Sequence, residues 1–115
     1  MAYQIKNFCY SLVTGIDFTN LQYTGIVIDA NGEANAPGAE ESIDGVIQVN
    51  PGVGETAQIC QSGITMLTVG SVGVSAGEKL EVEADGKVVT LNTGVAIGKA
   101  LNTGVAGEVI SVLLY

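Results

Sequence analysis

The pair Asp85-Gly86 sits at the centre of the run Lys79-Leu80-Glu81-Val82-Glu83-Ala84-Asp85-Gly86-Lys87-Val88-Val89-Thr90-Leu91, which alternates apolar and polar residues on both sides of it. Asp-Gly is favoured in two-residue type I′ hairpins, because both central positions need φ > 0. A tip at Asp85-Gly86 sets Val82 opposite Val89 and Leu80 opposite Leu91 on one face. Glu81 then meets Thr90, and Glu83 meets Val88, on the other. The first face is predicted to enter a core and the second to meet solvent.

The rest of the chain has the same texture. Sixteen glycines punctuate short apolar runs rich in Val, Ile and Thr, the pattern of a meander of short strands. Strands are predicted at 23–29, ended by Asn31-Gly32; at 45–49, ended by Pro51-Gly52; and at 55–62, 64–69, 94–101 and 108–114. In the last, Ile110, Val112 and Leu114 share one face and Val109, Leu113 and Tyr115 the other. Both sides therefore look covered, as in a central strand or an oligomer contact. No window keeps helical spacing for three turns. The 115 residues suffice for one domain. The predicted fold is all-β: a compact small barrel or sandwich of about seven or eight short antiparallel strands with an N-terminal arm.

Two stretches stand apart. Residues 1–22 hold four of the six aromatics, and their alternation breaks at Lys6-Asn7. They read as an arm packing on something other than its own sheet, or else as a first strand, with 23–115 as the single β domain. Leu91-Asn92-Thr93-Gly94-Val95-Ala96 recurs as Leu101-Asn102-Thr103-Gly104-Val105-Ala106. Two copies are too few for a solenoid, so they read as similar turns at successive strand ends. The small, polar segment 31–42 is predicted to be an exposed loop.

Four basic residues, all lysine, stand against twelve acids, for a formal net charge of −8. Nucleic-acid binding needs a basic footprint that neutralises phosphates, so DNA and RNA are not expected partners. An anionic membrane surface is set aside for the same reason, and no uncharged apolar run approaches the roughly 20 residues of a bilayer span. The first twenty residues hold one lysine and no continuous apolar segment of a secretion signal. A soluble protein is expected, with Cys9 and Cys60 as reduced core thiols and a disulfide as the less favoured alternative.

Histidine is absent, which removes the usual general base, the usual triad partner and the commonest zinc ligand together. The acids fall on turns or on the solvent face of the hairpin, where perturbed pKa values are hard to arrange. No enzyme activity, catalytic residue, cofactor or metal ligand is expected. Gly94 to Ala100 echoes a phosphate loop, but has three residues between the first two glycines and an alanine where a Ser or Thr must hold Mg²⁺. Asp29-Ala30-Asn31-Gly32-Glu33 and Glu81 to Gly86 resemble fragments of a calcium loop. Hairpin turns with solvated acids are the preferred reading there, and a weakly held surface cation stays open.

Four phrases occur in order: Ile43-Asp44-Gly45-Val46-Ile47-Gln48-Val49-Asn50-Pro51-Gly52-Val53-Gly54-Glu55; Cys60-Gln61-Ser62-Gly63-Ile64; Val74 to Glu81 with Asp85-Gly86-Lys87-Val88; and Ile97-Gly98-Lys99-Ala100-Leu101 with Gly107 to Leu114. In order and spacing, over about residues 43–115, the chain resembles the small capsid decoration (head cement) proteins of tailed phages. It departs from them in its hydrophobic first 22 residues, where a Thr/Ala-rich beginning is usual. The resemblance implies a compact β domain on the outside of the virion head, assembled in the host cytoplasm, with the major capsid protein as partner and a homotrimer as the favoured oligomer. Tyr3, Ile5, Phe8, Tyr10, Leu12, Phe18 and Tyr115 are the expected contacts with capsid or neighbouring subunit, the arm residues acting as anchors. The alternative is a glycan- or host-surface-binding fibre or spike module, for which exposed aromatics outside the arm are the requirement.

Overall fold

Nine strands and no helix organise residues 5–115, the part of the chain that the computed structural model describes. The strands are β1 (Ile5–Val13), β2 (Gly25–Ile28), β3 (Ala34–Asn35), β4 (Gly45–Ile47), β5 (Thr56–Thr68), β6 (Lys79–Val82), β7 (Val88–Thr90), β8 (Gly98–Ala100) and β9 (Val109–Leu114). They form one antiparallel sheet in the order β3-β2-β4-β5-β9-β8-β6-β7, with β1 branching from β5, and the sheet curls into a half-barrel. The all-β expectation is met.

The long strand β5 organises the rest. It pairs with β1 from Thr56 to Ile64, with β4 at Ile59 and Cys60, and with β9 from Ile64 to Thr68. The sequence divides this stretch into two strands at Gly63. Gly63 instead sits at φ 89°, a value glycine adopts without a Cβ penalty, so the strand turns there without ending. Register shifts in the β1–β5 ladder fall at the same level, between Lys6 and Phe8 and between Phe8 and Cys9, and such bulges add local twist.

That twist lets β5 serve two cores. Its second half contributes Leu67, which joins Leu80, Val82, Val88, Ile110 and Val112 inside the ring β5-β9-β8-β6-β7. The ring closes where Val69, just after β5, bridges Val88 in parallel and the Gly70 N–H donates to the Val88 carbonyl at 2.7 Å. The first half contributes Ala57 and Ile59 to a second core with Phe18, Ile26, Ala34 and Ile47. Neighbouring residues of a strand face opposite sides, so β4 places Val46 in the first core and Ile47 in the second.

Residues 5–13 of the N-terminal segment take the first-strand alternative, and residues 14–22 close over the second core. Phe18 is fully buried there, with Ile16 and Leu21 packed against the cluster. The cysteine expectation is overturned: Cys9 and Cys60 are direct partners across β1 and β5, and they form a disulfide with Cα atoms 4.1 Å apart. Their pairing depends on the register of strands about fifty residues apart, which local spacing does not encode.

The hairpin lies where expected but is built differently. The Gly86 N–H donates to the Glu83 carbonyl at 2.9 Å and the Glu83 N–H to the Lys87 carbonyl at 2.8 Å. Only Gly86, at φ 86°, takes a left-handed conformation. This is the three-residue loop, a type I turn followed by a left-handed glycine. It shifts the register by one, to Leu80↔Thr90, Glu81↔Val89 and Val82↔Val88. On β7, Val88 rather than Val89 now enters the core. The 29–33 turn is made the same way: Gly32 is at φ 74°, and its N–H reaches the Asp29 carbonyl at 3.0 Å.

Candidate docking surface

The carboxylates are the most numerous titratable side chains, and the fold uses nearly all of them internally. A four-residue turn recurs in which the third residue is left-handed and the glutamate at the fourth reaches back to the N–H of the first. In Ser75 to Glu78 and Val105 to Glu108 the left-handed residues are Gly77 and Gly107, at φ 88° and 87°, and the glutamate Oε1 accepts from Ser75 and Val105 at 2.7 and 2.8 Å. Gly52 to Glu55 repeats it with Gly54 at φ 81° and a 2.5 Å bond. Gly38 to Glu41 repeats it with Glu40 at φ 67° and a 2.8 Å bond. A left-handed third residue is what a type II turn needs. Three of these turns lead directly into β5, β6 and β9.

Asp17, Asp29, Asp44, Glu81, Glu83 and Asp85 also accept backbone N–H groups. Glu81, which the sequence places on a solvent face, is 4% exposed. Residues 91–96 fold over it, and its Oε1 accepts from Asn92 and Gly94 at 2.6 and 3.0 Å. Those N–H bonds hold its carboxyl below the usual range against the opposing effect of burial. Asp29 is lowered in the same way by the N–H groups of Glu33 and Asn31 and the side chain of Asn35. The segment that echoes a phosphate loop therefore presents its amide to the chain's own carboxylate. In the two calcium-loop fragments Asp29 and Asp85 bond their own turns, while Glu81 and Glu83 bond the 92–94 loop and Ser71, and no group of three or more metal-ligating side chains occurs among the described residues.

The surface offers an aromatic and apolar region instead. A cavity of about 160 Å³ opens where β9 ends, lined by Ser42, Ile43, Gln61, Val95, Leu114 and Tyr115 among others. Among the described residues no Asp, Glu, Lys or Cys side chain lines it. Tyr115 stands on this cavity and is 61% exposed. Nearby, the Tyr10 hydroxyl donates to the Asp44 carbonyl at 2.9 Å, and the rings of Phe8 and Tyr10 lie 5.8 Å apart. Burial, with the Asp44 carboxylate second, raises the Tyr10 pKa. Val109, Leu113 and Tyr115 are exposed on one side of β9 and its end, with Ser111 fully buried between Val109 and Leu113, so the chain covers that side of the central strand only in part.

The expected contact residues therefore separate. Phe8 and Tyr115 are exposed. Tyr10 and Leu12 are half-buried against the second core, and Phe18 is a core residue, closed to any docking role in the folded chain. Ile5 pairs with Ile64 in the β1–β5 ladder, and Tyr3 lies outside the described residues. The sequence places Val109, Leu113 and Tyr115 on one face of the last strand and offers an oligomer contact there, but of the three only Tyr115 is among its expected contact residues.

No protein-family model matches the sequence, and no curated protein matches it. Among solved structures the chain is similar to the head fiber gp8.5 N base of bacteriophage phi29, with a TM-score of 0.77 over 94% of this chain and 93% of that one, at 12% identity. The two share a fold over nearly their whole lengths.

Proposed function

We propose that the chain is a structural protein of a tailed-phage head, a decoration protein that binds the outer surface of the assembled shell and stabilises it. The observation that carries this reading is the near full-length likeness in fold to a phage head fiber base. The ordered resemblance of residues 43–115 to decoration proteins supports it independently. Binding to the assembled shell and not to its parts stabilises the shell by mass action, and repetition over many sites multiplies a small energy per copy. The partner is the major capsid protein, the location is the virion exterior, and a homotrimer is the favoured oligomer. The protein is not an enzyme on this reading, since ten of its twelve carboxylates hold its own backbone. Co-sedimentation of the purified protein with undecorated heads tests it; absence of binding at micromolar concentration overturns it.

A second reading rests on Tyr115. An exposed ring beside Gln61 and Ser42 on a cavity is a stacking platform with hydrogen-bonding neighbours, suited to a sugar of the host surface. Binding to host envelope glycans by the free protein, lost in Tyr115→Ala, is the result that favours it.

A further inference from the structure

The chain has four lysines in a molecule of net charge −8, yet two of them face each other. Lys79 of β6 and Lys99 of β8 are direct cross-strand partners, and both are exposed. Like charges in that arrangement destabilise a sheet. Neither has an ion-pair partner among the described residues, where the pair formed is Lys87 with Asp85 at 3.7 Å. Acids near enough to relieve them are committed elsewhere: Glu78 bonds Ser75 and Thr90, and Glu81 bonds the 92–94 loop. The lysine pair continues into an apolar row, because Lys99 is opposite Leu113 and Leu113 is opposite Ile64. Leu113 is 41% exposed; on the same side of the strand Tyr115 follows it, and Val109 is exposed beyond the buried Ser111.

A local cost in a mostly acidic chain, set beside uncovered apolar side chains, is what a docking face leaves visible when its partner is absent. We infer that the outer face of β8, β9 and β5 is the surface that docks on the shell, its apolar row covering an apolar patch and Lys79 and Lys99 meeting carboxylates at the rim of that patch. The inference rests on the shell-binding reading and names the surface and the partner chemistry within it. The charge complementarity gives orientation and encounter rate as well as affinity, and salt weakens it.

The test is co-sedimentation of the full chain with undecorated heads at low and high salt. Lys99→Glu and Lys87→Glu change the net charge equally. Lys99→Glu also replaces a like-charge pair with an opposite one, so its fold is not weakened, which an unchanged or higher thermal midpoint verifies. Lys99→Glu is expected to weaken binding about tenfold or more and to remove much of its salt dependence, whereas Lys87→Glu binds like the wild type. Leu113→Ser with Tyr115→Ser is expected to weaken binding and leave the salt dependence. If Lys99→Glu and Lys87→Glu act alike, or if both face variants bind like the wild type, the inference is wrong and the shell-binding reading stands. If the wild type itself fails to bind heads, both fall.

Discussion

The two cores of this molecule are held together by different means. In the barrel, β6 and β9 are each entered through a glutamate-locked turn, and β6 and β7 are joined by a three-residue loop. Its strands meet neighbours a short distance along the chain, apart from β5. The flank that carries the second core is assembled from β1, β2, β3, β4 and the first half of β5, and its main ladder joins residues 5–13 to residues 56–64. No turn can set that register. A disulfide, a buried phenylalanine and hydrogen bonds from Thr14 do it instead. Short-range chemistry suffices where strands are close in sequence, and cross-links and buried bulk take over where they are not.

The strongest challenge to that contrast is Phe18→Ala. Phe18 is fully buried at the centre of the flank core, and truncation of such a ring removes burial and leaves a cavity, at about 3–5 kcal/mol. Urea unfolding gives the loss. Hydrogen exchange locates it, with protection falling first in β1, β2 and β4 and last in β8 and β9. Uniform loss of protection would show one cooperative unit and end the contrast. An N-terminal deletion through residue 20 is no test of docking, because it removes both β1 and Phe18.

Reduction of Cys9–Cys60 comes next. The bond closes a loop with a sequence separation of 51, for which chain entropy gives roughly 4 kcal/mol, an upper figure for most proteins. With reductant present, the thermal midpoint should fall and exchange in β1 should rise, while β6 to β9 keep their protection. Unchanged exchange in β1 would mean that strand pairing and Phe18 hold the flank unaided.

What could be read from the sequence follows the same division. The 79–91 hairpin, the β2–β3 turn and β9 were legible because Gly, Asp and Asn at fixed offsets carry the turn chemistry. The hairpin register was missed by one residue, since Asp-Gly serves both a two-residue loop and a three-residue one, and burial of Val82 with Val88 decides between them. Cys9–Cys60 and the burial of Phe18 were illegible because both depend on a pairing fixed by tertiary contacts. Of the expected contact residues, Phe8 and Tyr115 are exposed, but nothing in the pattern separates them from Tyr10, Leu12 and Phe18, which pack on the second core. The Lys79–Lys99 juxtaposition needs the β6–β8 register, which no local signal supplies.

Within the barrel, Glu81→Gln is expected to have a smaller effect, a drop of a few degrees in thermal midpoint at neutral pH. The ionised carboxyl is favoured in the folded state by the N–H groups of Asn92 and Gly94, and its pKa is lowered on folding. Its contribution is therefore complete above the usual carboxylate range and fades as pH falls through that range and below the lowered folded value. The gap between wild type and Glu81→Gln should shrink along the same path. A gap that stays constant with pH would trace the effect to packing and not to charge.

The smallest effects sharpen the contrast most, because one device occurs in both regions. Glu108→Ala removes the side-chain lock of the turn into β9, and Glu55→Ala removes the same lock on the turn into β5. Each loses one charge-assisted bond to an exposed turn, at about 1 kcal/mol or less. Both turns are tied by backbone bonds, the Thr14 N–H to the Glu55 carbonyl at 2.9 Å and the Val69 N–H to the Glu108 carbonyl at 2.8 Å, but the Gly52 to Glu55 turn has a side-chain attachment as well: the Thr14 hydroxyl donates to the Gly52 carbonyl at 2.7 Å and lies 3.1 Å from that of Glu55. Thr14 is buried and follows β1 directly, so this turn ties the flank as well as starting a strand. A double-mutant cycle of Thr14→Val with Glu55→Ala should then show coupling, while Glu108→Ala adds to Thr14→Val without it. Additivity at both turns would mean that the lock is purely local wherever it occurs, and that β1 is held by its ladder with β5, the disulfide and Phe18 without help from it.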